Sequence, residues 1–104
     1  MKLAMLFWVA GLLAAPPRTH VVKSSPKTVV WGYFSAQTPP AVRIQPGDTV
    51  VMDSAMVGDP EMMREGGIPD AAIREADRAI SREAKDKGPG PHSLTGPVYV
   101  EGAE

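Results

Sequence analysis

The sequence predicts a mainly β chain carrying one amphipathic α-helix. Three observations predict it. Residues 28–34 form a run of β-branched and aromatic side chains, residues 41–52 alternate apolar and polar side chains around a proline–glycine turn, and only residues 69–87 switch to helical periodicity. The chain has 104 residues, is 43% hydrophobic and carries a formal net charge of -1. That is one small domain at most, and a domain of this size covers its apolar faces only marginally.

Met1 to Ala15 places Lys2 before an apolar run, Leu3 to Ala15, interrupted by Gly11. An early charge, a short apolar core and the small exit residues Ala14 and Ala15 before Pro16 and Pro17 read as a secretory signal peptide over residues 1–19, with cleavage between Ala14 and Thr19. The expected location is secreted or periplasmic. The run is short of the about 20 apolar residues that a membrane span needs, so no stable span is expected after processing. Pro16 to Pro26 reads as a mature N-terminus or linker.

Thr28 to Phe34 (Thr-Val-Val-Trp-Gly-Tyr-Phe) favours a strand, which Pro39 and Pro40 close because neither can donate to a ladder. Val42 and Ile44 alternate with Arg43 and Gln45, Pro46-Gly47-Asp48 turns the chain, and Thr49 to Met52 runs back. Proline and glycine suit the two central positions of a type II turn, so a tight hairpin is the first expectation, with pairing elsewhere the alternative. Asp48 reads as a turn residue. Asp53 to Gly67 reads as a loop, its glycines and Pro60 opposing any long element.

Ile73, Ala76, Ile80 and Ala84 recur at helical spacing from Pro69 onward, with charged residues between them. Asp70 with Arg74 and Glu83 with Lys87 are acid-first pairs four residues apart, and the helix is expected to end at Gly88. Its charged side reads as a solvated face.

The charge balance and the interleaving of acids with bases exclude the basic stripe of a nucleic-acid binder. Cysteine is absent, which removes disulfides, thiolate nucleophiles and cysteine metal sites from this segment. Chemistry is concentrated instead at residues 88–104, where glycine and proline surround His92, Ser93 and Thr95 and lead into an apolar strand followed by Glu101 and Glu104. Neutral imidazole and carboxylate oxygens are ligand types for a divalent metal such as zinc.

The run Pro91-His92-Ser93-Leu94-Thr95-Gly96-Pro97-Val98-Tyr99-Val100-Glu101-Gly102-Ala103-Glu104 resembles the signature of the acetamidase/formamidase family. Thr28 to Phe34 and Pro39 to Val50 are similar to that family's beginning, in the same order. The resemblance implies that residues 20–104 are an incomplete N-terminal portion, a partial β-rich domain of a larger β/α amidohydrolase. It further implies hydrolysis of short linear amides, formamide or acetamide, by metal-activated water, and an oligomeric full-length enzyme. On this reading His92, Glu101 and Thr95 are catalytic candidates, and His92, Glu101 and Glu104 are metal candidates. Ser93 is a further hydroxyl that could bond the amide, and Asp53 lies near the site by ending a strand. Trp31 and Tyr33 are expected in the core or at a domain interface. The family often has a histidine directly before its Trp-Gly pair, where this chain has Val30. The competing expectation is an exported, non-catalytic β-rich domain that binds a partner or a separately encoded remainder of the enzyme.

Overall fold

The computed structural model describes residues 15–56, 58–84 and 87–104. Most of the expected signal peptide, residues 1–14, lies outside them. Among the described residues, six short strands, β1 (Thr19–Val22), β2 (Val29–Trp31), β3 (Val42–Ile44), β4 (Thr49–Met52), β5 (Ser93–Thr95) and β6 (Val98–Val100), are accompanied by two α-helices, α1 (Pro60–Glu65) and α2 (Glu75–Glu83), and a 3₁₀ turn at Asp70–Ala72.

The strands form three separate pairs. β1 lies parallel to β4, β2 antiparallel to β5, and β3 parallel to β6. Pro46-Gly47 does turn the chain, with Gly47 at φ 89° and the Asp48 N–H bonded to the Gln45 carbonyl at 3.1 Å. The flanking strands nevertheless do not form the expected hairpin. Asp48 draws β1 in beside β4: its Oδ1 accepts the Arg18 N–H at 2.9 Å, its Oδ2 accepts the Gln45 N–H at 3.0 Å, and the same oxygen lies 2.8 Å from His20 Nε2. The stretch read as a linker therefore contains β1, a short Thr-His-Val-Val strand whose pattern the flanking prolines obscure.

The single long helix is replaced by two shorter pieces. Ile73 and Arg74 adopt extended backbone conformations (ψ 116° and 148°), so the 3₁₀ turn stops and α2 begins afresh after Arg74. The helix ends at Glu83, ahead of the expected Gly88. The expected acid-first pairs are also redistributed: Asp70 binds Arg64 and Arg78, and Arg82 binds Glu75. α1 occupies part of the expected loop. Asp59 caps it by accepting the Met62 N–H at 2.9 Å, and Pro60 takes the first turn, where its missing N–H costs nothing.

Val22, Trp31, Ile44, Met63, Ile73 and Ile80 form the buried apolar set. Trp31 was expected in the core and is there; Lys87 lies over its ring, with Nζ 4.7 Å from the centroid, and donates to the Ser81 carbonyl at 2.6 Å. α2 is thereby tied to β2. Gly32 is held against residues 88–90 by two backbone hydrogen bonds, Gly88 N–H to the Trp31 carbonyl at 2.9 Å and Gly90 N–H to the Gly32 carbonyl at 3.1 Å. At φ 79° a Cβ on Gly32 would lie 2.6 Å from the Gly90 carbonyl oxygen, so only glycine fits there.

Candidate functional site

A connected polar cluster lies where the ends of β1 and β4 meet β5 and the start of α2. Asp53, immediately after β4, is its centre. Asp53 Oδ2 accepts the Ser24 hydroxyl at 2.6 Å and the Ser24 N–H at 3.3 Å, while Oδ1 accepts Arg74 Nη1–H at 2.8 Å. The Asp53 carbonyl accepts the Thr95 hydroxyl at 2.7 Å, which joins the cluster to β5. Arg74 then reaches Asp77 through Nε at 2.7 Å and Nη2 at 3.1 Å, and the Ser54 carbonyl through Nη2 at 2.7 Å.

Asp77 is the deepest member, its side chain 1% exposed. Its Oδ1 also accepts the Met56 N–H at 2.8 Å, so the buried carboxylate is balanced by a guanidinium fork and a backbone donor. A buried charge is tolerated only with such partners. The extended Arg74 backbone that breaks the helix is the same feature that sends this guanidinium back across the strand ends.

Electrostatics follow the hydrogen bonds. Asp53 is lowered from 3.8 to about 2, first by the Ser24 hydroxyl, then by Arg74 and the Ser24 N–H. Asp48 is lowered from 3.8 to about 2 by the Arg18 N–H, then by His20 and the Gln45 N–H. Arg74 is raised, chiefly by Asp77, against an opposing effect of burial. Asp53 is thus held as a carboxylate, suited to fixing cations and donors in place and poorly suited to taking up a proton near neutral pH.

The sequence-predicted residues are dispersed around this cluster. Thr95 is in it. His92 is exposed just before β5; its carbonyl accepts the Gly32 N–H at 2.8 Å, and among the described residues no hydrogen bond or ion pair engages its imidazole. Glu101 follows β6 and faces Arg43 at 3.7 Å, and Arg43 also stacks 4.4 Å from the centre of the Tyr99 ring. Glu104 is exposed. Among the described residues no three His, Cys, Asp or Glu side chains are gathered to hold a metal ion, so His92, Glu101 and Glu104 do not form a ligand set by themselves. Ser93 is buried, and among the described residues its hydroxyl oxygen has no hydrogen-bond partner.

A recess of about 230 Å³ opens beside β2 and β5, bounded by Val30, Tyr33, Phe34, Leu94, Thr95 and Pro97. Val30 pairs with Leu94 across the two strands, so the position before Trp31-Gly32 presents an apolar side chain here. A larger open groove of about 1280 Å³ runs from Lys27 and Val29 to Arg82 and Pro89 and shares Val30 and Tyr33 with the recess; neither His92 nor Thr95 lines it. Ser24 and Asp77 carry no site signal in the sequence pattern, and Arg74 stands out there only as a helical partner for Asp70. The available signal was a carboxylate ending a strand together with an Arg and an Asp three residues apart, which helical patterning assigned to a solvated face.

No protein-family model and no curated protein matches the chain. Among the described residues no helix is long and apolar enough to cross a membrane.

Proposed function

We propose that this chain is the N-terminal portion of a hydrolase acting on the carbon–nitrogen bond of short linear amides, formamide or acetamide, of the acetamidase/formamidase kind. The observation that carries the reading is the pairing of the resembling stretches with one another. β2, in the first stretch, pairs with β5 in the signature run, and β3, in the second, pairs with β6 in the same run. Stretches that resemble one family would be expected to meet in this way if they build one fold.

The reaction adds water across the amide, giving a carboxylic acid and ammonia. Within the described residues His92 is the uncommitted imidazole available to hold or pass a proton. Thr95 and Asp53 join β5 to the end of β4, and the adjacent recess has dimensions suited to a small ligand. His92, Glu101 and Glu104 do not fit zinc as a group on their own. Zinc enters the proposal only with ligands from beyond the described residues, and no step is assigned to it. The full enzyme is proposed to be exported and oligomeric.

A second reading is favoured by the exposed apolar side chains. Phe34 is 88% exposed, and Val21, Val51, Leu94 and Tyr99 are also open on strands or beside them. Among the described residues the three two-stranded sheets leave unpaired edges, which a partner or a separately encoded remainder of the enzyme would cover. Expression of the longest open frame containing these residues, with ammonia release from formamide and acetamide measured with and without a chelator, separates the readings. Chelator-sensitive release supports the hydrolase, whereas a folded product that releases no ammonia supports the partner-binding domain.

A further inference from the structure

We propose that the recess beside β2 and β5 is an acyl-chain pocket, which takes the apolar tail of a primary amide of about four to six carbons and leaves the amide group at His92. The inference rests on the amide reading and adds to it the acyl part of the substrate. The ladder of β2 and β5 builds the face concerned. Val30 pairs with Leu94, and two positions further along the Gly32 N–H donates to the His92 carbonyl at 2.8 Å. Side chains two residues apart on an extended strand share a face, so His92 stands on the Leu94 side. Exposure follows the same alternation: His92 and Leu94 are exposed, and Ser93 between them is buried. Across from His92, Gly32 has no side chain to fill the space.

Val30, Tyr33, Phe34, Leu94 and Pro97 line the recess, and among the described residues no charged side chain does. Two of the hydroxyls along it are engaged by the chain itself: Thr95 donates to the Asp53 carbonyl at 2.7 Å, and Ser35 Oγ accepts the Gln37 N–H at 3.2 Å. Such a lining favours hydrocarbon over a carboxylate or an ammonium group. Phe34 is 88% exposed, so a tail bound against it takes apolar surface out of water. The recess of about 230 Å³ has room for roughly seven or eight water-sized atoms at about 30 Å³ each. Formamide and acetamide, with three and four non-hydrogen atoms, leave it half empty, whereas butyramide and hexanamide fill most of it. Two residues of strand cover about 7 Å, so a tail of about five bonds seated against Leu94 carries its amide to His92.

Acetamide, butyramide and hexanamide are titrated into the protein expressed from the longest open frame, with the methyl groups of Val30 and Leu94 followed by NMR and ammonia release measured in parallel. Complete burial of one methylene corresponds to about fourfold in affinity; Phe34 and Leu94 keep the recess open to water, so about twofold per methylene is expected. Hexanamide should therefore bind at least about tenfold more tightly than acetamide and shift both sets of methyl signals. Leu94→Ser should lower that ratio at least about threefold, and Val30→Thr, which keeps the side-chain shape and adds a hydroxyl, should lower it in the same direction. Equal affinities for hexanamide and acetamide, or a ratio unchanged in both variants, overturn the pocket even where acetamide is hydrolysed, and the amide reading then stands without it. Hexanamide bound at Val30 and Leu94 with no ammonia released from any of the three upholds the pocket and removes the hydrolase. No shift with any amide overturns the inference and leaves the exposed Phe34 to a protein partner.

Discussion

Truncating Arg74 to alanine removes the group that joins the end of β4 to α2. Four hydrogen bonds disappear, to Asp53, to both oxygens of Asp77 and to the Ser54 carbonyl. Asp53 keeps its Ser24 donors, but the Asp77 carboxylate, 1% exposed, keeps only the Met56 N–H. Leaving one member of a buried pair uncompensated typically costs about 3–5 kcal/mol. Arg74 is 39% exposed, so water can reach part of the vacated space, and the lower end, about 3 kcal/mol, is expected. With a urea dependence of about 1 kcal/mol per molar for a chain this small, the unfolding midpoint followed by far-ultraviolet circular dichroism should fall by about 3 M, or the variant should be unfolded without urea. Arg82→Ala is the matched control, because its pair with Glu75 is exposed on both sides and should change stability by less than about 0.5 kcal/mol. Replacing both members, Arg74→Met with Asp77→Leu, should recover more than about 1 kcal/mol of the loss, since no buried charge then lacks a partner. A change below about 0.5 kcal/mol for Arg74→Ala would refute the claim that this cluster holds the strand ends to α2.

Acid provides an independent prediction. The folded forms of Asp48 and Asp53 titrate near 2 against an ordinary 3.8, so their contribution is present above about pH 4 and is lost as pH falls through 2. Asp48→Asn and Asp53→Asn should each flatten the fall in stability across that window, and an unchanged acid-unfolding profile would contradict the assignment. Gly32→Ala should destabilise by at least about 2 kcal/mol in urea titration, because a positive φ is combined with contacts to fixed carbonyl groups. Thr95→Val should cost about 1 kcal/mol by removing the hydroxyl bond to the Asp53 carbonyl, measured in the same titration.

Local chemistry made the positions of strands more legible than their partners. Alternation around Val42 and Ile44 and the run Thr49 to Met52 located β3 and β4, and Pro46-Gly47 located the turn between them. Alternation specifies faces and leaves pairing open; here Asp48 binds Arg18 and His20 and brings β1 to β4, which no pattern inside 41–52 discloses. The helix after Pro69 was legible from Ile73 and Ile80, but its break at Arg74 depends on contacts to Asp53 and Ser54 some twenty residues away. α1 is a single short stretch between glycines, too brief for periodicity to outweigh the turn residues around it. At the candidate site Thr95 was visible within the signature run, whereas Asp77 looked like one more charge on a solvated helix.

The most direct test of the proposed amide chemistry compares ammonia release from acetamide by the longest open frame and by its His92→Ala variant. The His92 imidazole is exposed and makes no hydrogen bond or ion pair among the described residues, so the substitution should change stability by less than about 0.5 kcal/mol. The account predicts steady release by the parent and a loss of at least about 100-fold in the variant, on the scale of a general acid–base group. Equal release by the two proteins would contradict the role of His92, and no release by a folded parent from either acetamide or formamide would contradict the hydrolase reading.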